Sequence, residues 1–279
     1  MRNLSFLIAI FCFLLLAVIT APSEAAFDSA KFNTSTEPLK VLSVTPTGTD
    51  VPASRQMVFN FNRPVVPLGR MERNDEEIPI TITPHLECQW RWLDTSSLAC
   101  QLGDKQRMKP ATRYIVVMEP GISAEDGSTI ATTLTHSFIT QRARITYTSF
   151  DTWRSPGMPS LYVNFNQDVD GASLGEHLYL MVNSYEVVAL NVEETFNYNK
   201  KKMPRRWKVS PVKELPLDAE ITLHVEPGIL SLEGPERGVE KRLLVKFHTF
   251  PEFEFLGISC TKDGFLRDYK PIMIKAGEG

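Results

Sequence analysis

The chain has 279 residues, 43% hydrophobic and 23% charged, with a formal net charge of −3. A domain built to contact nucleic-acid phosphates carries a clear positive excess, so this balance argues against a nucleic-acid partner. Nineteen prolines and fifteen glycines break the chain at short intervals, which suits short strands and turns rather than long helices.

Residues 1–25 read as an export signal. Arg2 supplies a positive start, Leu4 to Thr20 is almost wholly apolar, and Ser23-Glu24-Ala25 offers small residues where a signal peptidase cuts. The apolar run is also long enough to remain in a bilayer as an uncleaved anchor. The first alternative places the body in the periplasm, and the second tethers it to the inner membrane; only in the second is a membrane a partner. Cys12 lies inside the run without the small residues of a lipoprotein signal before it. Residues 26–37 form a linker, and no later apolar run approaches spanning length.

The body reads as one module written twice, at 38–141 and 142–250. Val58-Phe59-Asn60-Phe61-Asn62 recurs as Tyr162-Val163-Asn164-Phe165-Asn166. Glu119-Pro120-Gly121-Ile122 recurs as Glu226-Pro227-Gly228-Ile229, and Phe138-Ile139-Thr140 as Phe247-His248-Thr249. An offset of about a hundred residues is too long for a solenoid and fits a duplicated small domain. Within each copy the apolar residues alternate, as at 57–61, 78–82, 114–118 and 221–225, each run bounded by Pro, Gly, Asp or Asn. No convincing 3.6-residue stripe follows residue 25. The expected fold is all-β: tandem immunoglobulin-like antiparallel β-sandwiches of about seven strands each. Phe59 and Phe61 share one strand face and enter the core, while Asn60 and Asn62 point away. In both Glu-Pro-Gly segments proline stops a strand and glycine takes the positive φ of a turn.

In the first module Cys88 and Cys100 flank a predicted hairpin. A three-residue loop at 93–95 sets them opposite each other; a four-residue loop at 94–97 sets them diagonally, at about 7 to 8 Å between Cα atoms, too far for easy bridging. The pair reads as a disulfide, which an oxidising compartment and a small domain both favour; the alternative is two buried free thiols. Trp90 and Trp92 share the face of Cys88 and are expected to pack on it, the alternative being a grip on sugar rings. In the second module Lys200, Lys201, Lys202, Arg205, Arg206 and Lys208 put six basic residues in nine positions. The first five form a candidate patch for an anionic partner, and the same run also suits a solvated hairpin tip.

Val41 to Phe61, with Ser43-Val44-Thr45-Pro46, Val51-Pro52 and the following Asn62-Arg63-Pro64-Val65, resembles the bacterial Ig-like modules of S-layer and other envelope proteins. Pro64-Val65-Val66-Pro67-Leu68-Gly69, Ile78-Pro79-Ile80, Cys88-Gln89-Trp90-Arg91-Trp92-Leu93 and Leu98-Ala99-Cys100 resemble the N-terminal region of bacterial alpha-2-macroglobulins. This second resemblance runs over about residues 38–279 and is most specific in the Cys-Trp-Trp-Cys block. It implies a periplasmic protein that traps proteases through a cleaved bait segment, in some members with a thioester in Cys-x-Glu-Gln. The chain departs from that pattern: it has no Cys-x-Glu-Gln, nothing resembling a bait, and much less length. Residues 251–279 read as the start of a truncated third β domain, whose Cys260 would pair further downstream in a complete family member.

Enzyme motifs are scarce. Ser210-Pro211-Val212-Lys213 and Ser259-Cys260-Thr261-Lys262 match Ser-x-x-Lys without Lys-Thr-Gly or Ser-Asp-Asn. The five histidines form no His-Glu-x-x-His pair, and Asp168-Val169-Asp170-Gly171 lacks the remaining ligands of a calcium loop and reads as a turn. The expectation is a non-catalytic scaffold and interaction fragment of an alpha-2-macroglobulin-like endopeptidase inhibitor, with no cofactor and no metal. Its partners would be neighbouring domains of that protein and other envelope proteins. The alternative is an envelope adhesion or cell-wall-binding Ig-like module.

Overall fold

The computed structural model of the protein describes residues 37–66 and 78–253. Residues 1–25 with Cys12, expected to be an export signal, most of the expected linker, Pro67 to Gly69, the Ser259 motif, Cys260 and nearly all of the segment expected to open a third domain lie outside the described residues. The described chain is all-β, with fifteen strands and one short helix.

The first module contains β1 (Val41–Thr45), β2 (Gly48–Val51), β3 (Gln56–Phe61), β4 (Ile80–Thr83), β5 (Cys88–Trp92), β6 (Ser97–Leu102), β7 (Arg113–Met118) and β8 (Leu134–Thr140). They form two four-stranded sheets, ordered β1-β3-β6-β5 and β2-β8-β7-β4. Period-two alternation turns one face of each sheet inward: Met57, Phe59 and Phe61 from β3 and Trp90 and Trp92 from β5 share one core cluster with Tyr114, Val116 and Phe138. The strand pairs are antiparallel except β2 with β8, because the leading segment pairs first with β3 and then crosses to run parallel to β8.

Cys88 and Cys100 are joined, with Cα atoms 4.9 Å apart. The register departs from both hairpins considered above, since Trp92 pairs with Leu98, Trp90 with Cys100 and Cys88 with Leu102. The two cysteines are therefore diagonal neighbours, and the expectation that a diagonal pair is too distant is corrected. The right-handed twist of paired strands draws one of the two diagonals together. Trp90 and Trp92 are buried, each tilted against a phenylalanine of β3 at centroid distances of 6.0 Å to Phe59 and 5.6 Å to Phe61. Neither indole is available to a sugar.

The second module contains β9 (Ile145–Trp153), β10 (Pro159–Phe165), α1 (Gly171–His177), β11 (Leu178–Val182), β12 (Glu186–Phe196), β13 (Lys202–Pro211), β14 (Glu220–Val225) and β15 (Arg242–His248). Its strands make one continuous sheet, β15-β14-β11-β12-β13-β10-β9, folded over through β12. The first part of that strand, Glu186 to Ala189, pairs with β11, and Leu190 onward pairs with β13. The two halves face each other over Leu161, Val163, Trp207 and Val209 on one side and Leu180, Ile221 and Leu223 on the other. At the far ends of the sheet, aromatic rings bring the β9 and β15 edges together, with Phe150 at 5.1 Å from Phe247 and Trp153 at 4.8 Å from Phe250.

Asp168 to Gly171 is not simply a turn, because α1 starts there. The Asp170 carboxylate caps it by accepting from Ala172 N at 3.3 Å, and Leu174 is buried beneath. Seven residues are too few to write a helical stripe into the sequence.

The duplication extends to individual hydrogen bonds. Asn62 Oδ1 accepts from Lys40 N at 2.9 Å, and Asn166 Oδ1 from Arg144 N at 3.0 Å. Each asparagine's own N–H returns a bond to the same partner's carbonyl, so the second asparagine of each block clasps the entering chain. Thr140 hydroxyl accepts from Thr112 N and donates to Lys109 O, as Thr249 hydroxyl does with Ala219 N and Pro216 O. The preceding residues Ala111 and Asp218 share a left-handed φ of 47°. Gly121 and Gly228 adopt φ of 143° and 134°, where a side chain is strained.

The segment between the cores is bonded from both sides. Gln141 N donates to Val51 O, Arg142 N and guanidinium donate to the Asp50 carboxylate, and Arg142 O accepts from Asn166 Nδ2. Ile145 N donates to Glu240 Oε2 at 2.7 Å. The loop after Ile229 also reaches the first module: Glu236 N donates to Ala111 O, Arg113 pairs with Glu236 and Arg107 with Glu233, and Gly234 lies on the carbonyls of Pro110 and Ala111 so closely that a Cβ would collide.

Replacing Cys88 or Cys100 by serine should lower the stability of the first module by about 3 kcal/mol, the effect of opening a short closed loop. Calorimetry should show its transition moving down while that of the second module moves much less. Phe61 and Phe165 are 4% and 5% exposed, and truncation of either to alanine should cost roughly 3 to 5 kcal/mol in chemical denaturation.

Candidate functional site

β12 and β13 have 11 and 10 residues where their first-module counterparts β5 and β6 have 5 and 6. The first four residues of β12 are spent pairing with β11; from Leu190 on it pairs with β13, whose residues before Arg206 run past the end of the β10 pairing, and there the hairpin projects. Its last pair is Phe196 with Lys202, beyond a bulge after Glu194.

Asn197 builds the tip. Its Oδ1 accepts from Asn199 N at 2.9 Å and Lys201 N at 3.0 Å, while its backbone N–H donates to Lys201 O and its carbonyl accepts from Lys200 N. Lys200 takes a left-handed φ of 58° to close the turn, a conformation non-glycine residues adopt at a cost that the Asn197 bonds offset.

The candidate basic patch does not assemble as one surface. Lys202 pairs with Glu194 at 2.7 Å, and Arg205 with Asp168 at 2.7 Å. Arg206 lies on the opposite side of β13, its guanidinium carbon 3.8 Å above the centre of the Tyr162 ring. Next to it Lys208 pairs with Asp151 at 2.8 Å; that hydrogen bond raises the Lys208 ammonium and holds the Asp151 carboxyl below its ordinary range. Strand alternation, which the charge run does not announce, sends neighbouring basic residues to different faces. Lys200 and Lys201 remain exposed at the tip with no carboxylate partner among the described residues. The aromatic companions Phe196 and Tyr198 are 54% and 94% exposed, and no motif in the sequence marks them. The signal that could have found them is a strand pattern running well past the thickness of the domain.

Beneath the hairpin lies a cleft of about 420 Å3. Its walls are largely apolar, from Val169, Val192, Met203 and Leu232, with Trp207 among the lining residues and Glu194, Lys202 and Asp170 at its polar positions. Trp207 donates through Nε1 to Pro204 O at 3.0 Å. Its ring abuts Gly171 at the start of α1, where any Cβ would collide with the indole.

The other sequence candidates are separate from this site. Ser210 is buried in β13, and Lys213 pairs with Glu186, so the Ser-x-x-Lys pattern falls on a strand end and not on a helix. His177 packs against Gly228, His224 stacks on Tyr179 at 5.3 Å, and His136 bonds Pro46 O. Among the described residues no group of three or more His, Cys, Asp or Glu side chains is arranged to hold a metal ion.

No family model and no curated protein matches the chain. Solved structures similar to it include the L,D-transpeptidase LdtMt1 in complex with imipenem, at 15% identity and a TM-score of 0.26 over 58% of this chain and 56% of that one. They also include an L,D-transpeptidase from Mycobacterium tuberculosis, at 14% and 0.26 over 62% and 76%, and the N-terminal part of the bacterial S-layer protein SbsC, at 14% and 0.25 over 72% and 45%. The chain thus spans little more than half of the first of these. Likeness at this level transfers no chemistry.

Gly171→Ala should push the Trp207 ring out of its seat and cost about 1 to 3 kcal/mol, as overpacking does. Urea denaturation followed by tryptophan fluorescence checks it, with native emission shifting to the red as the indole gains water.

Proposed function

We propose that the protein is a non-catalytic scaffold and interaction module of a periplasmic alpha-2-macroglobulin-like endopeptidase inhibitor. The observation that carries this reading is the bonded segment between the sandwiches. Arg142 and Asp50 form a bidentate pair from side chain to side chain, with Arg142 N bound to the same carboxylate. A chain whose job is to hold neighbouring domains at a fixed spacing benefits from such a joint, whereas independent modules on a flexible linker leave relative motion as the default. The resemblance in the Cys88 to Cys100 block adds the family. The chain carries neither the thioester motif nor a bait-like segment, so its contribution is spacing and contact rather than trapping.

The full chain, incubated with endoproteases of different specificity, should leave cleavage of a large protein substrate at its unaltered rate. Stoichiometric protection of that substrate would overturn the scaffold reading.

The joint also has a pH signature. The hydrogen bond from Arg142 holds the Asp50 carboxyl below its ordinary 3.8. A carboxyl lowered on folding stabilises the folded arrangement above its unfolded value and loses that contribution as pH falls through the folded one. Solution scattering should therefore show a fixed inter-module distance from neutral pH down to about 4, widening only below 3.8. Asp50→Asn should widen the distance distribution at neutral pH with both sandwiches still folded.

A further inference from the structure

We propose that the tip of the β12–β13 hairpin and the cleft beneath it form a docking site for an extended acidic polypeptide segment bearing an apolar side chain. The proposal rests on the reading of the chain as an interaction scaffold and supplies the chemistry of its partner. Three features of the hairpin converge on it.

The first is charge. Of the basic run, Lys202, Arg205 and Lys208 are neutralised by Glu194, Asp168 and Asp151. Lys200 and Lys201 alone are left facing solvent without a carboxylate among the described residues. Of the carboxylates at the cleft, Glu194 is paired with Lys202, while Asp170 bonds the start of α1 and keeps its charge; the two lysines still outnumber it, and the positive balance complements an acidic strand.

The second is shape. A lining of Val169, Val192, Met203, Leu232 and Trp207 around about 420 Å3 is the form of a pocket for an apolar group with a few polar groups to orient it. Phe196 and Tyr198 stand exposed on the same hairpin, and aromatic residues are the usual anchors of a contact surface.

The third is rigidity. The bonds from Asn197 fix the tip in advance, so little ordering remains to be done on binding. An anionic lipid surface fits less well: two lysines give it little attraction, and a flat bilayer has nothing to insert into a concave cleft.

Fluorescence anisotropy on the full chain tests the site with a labelled peptide of alternating glutamate and aspartate around one central tryptophan. The controls are the same peptide with serine for tryptophan, a lysine version, and vesicles containing phosphatidylglycerol. The acidic tryptophan peptide should bind best, and its affinity should fall as salt rises. The double variant Lys200→Glu, Lys201→Glu should weaken it about tenfold, the loss of two exposed charge contacts and their reversal. Leu232→Glu, at a position 61% exposed in the cleft wall, should weaken it as well while circular dichroism stays unchanged. Equal binding of the serine or lysine peptide, indifference to both variants, binding to vesicles but not to the peptide, or binding to nothing would each overturn the proposal. Failure here would leave the Asp50–Arg142 joint and its scattering signature in place, whereas protease protection by the chain would remove the scaffold reading without moving the peptide affinities.

Discussion

The short segment from Gln141 to Ile145 is hydrogen-bonded from both flanks through Gln141, Arg142, Arg144 and Ile145, and the relation between the sandwiches follows from that. Buried peptide groups must find partners, and these find them on Val51 and Asp50 in the first module and on Asn166 and Glu240 in the second. Ala143 is buried among them. The cores themselves remain two separate clusters, so the joint is polar and specific rather than a shared hydrophobic interior. Such an interface fixes an orientation without adding much apolar area.

The two copies of the module solve the same closure problem with the same groups and then diverge where solvent allows it. Thr140 and Thr249 each tie the last strand to the turn before the penultimate one, and Asn62 and Asn166 each clasp the incoming chain. Divergence is confined to places that carry no closure bond. The first copy stiffens its β5–β6 hairpin with a disulfide and a pair of buried indoles; the second lengthens the equivalent hairpin and seats a single indole, Trp207, against α1. The tip of that hairpin, Phe196 to Lys202, stays out of the core, and its surface is free to acquire a binding role.

Charge in the second module is distributed by strand geometry rather than by the order of letters. Consecutive basic residues on β13 alternate between the cleft side and the outer sheet face, where each meets a carboxylate or a ring. The Arg206–Tyr162 contact and the neighbouring Lys208–Asp151 pair form a partly covered polar layer on the outer face. The tip residues escape this neutralisation because they lie past the last strand neighbour that could supply an acid.

The sequence by itself determined the all-β class, the duplication, the turn roles of Gly121 and Gly228 and the inward aromatic residues, because alternation and positive-φ glycines are local properties of a strand and a turn. It also singled out Cys88 with Cys100 as a pair, though not their diagonal register, which depends on strand twist. The clasping role of Asn62 and Asn166 was invisible for a related reason: alternation says that a side chain leaves the core, not which backbone it meets twenty residues away. Only the tertiary structure decided that five neighbouring basic residues separate onto different surfaces, that a seven-residue helix caps the second core at Asp170, and that Trp207 lies at a cleft beneath a projecting hairpin. Each of these is a relation between elements distant in sequence, set by packing and by the facing of strands, and a linear pattern of residue types carries no record of which faces meet.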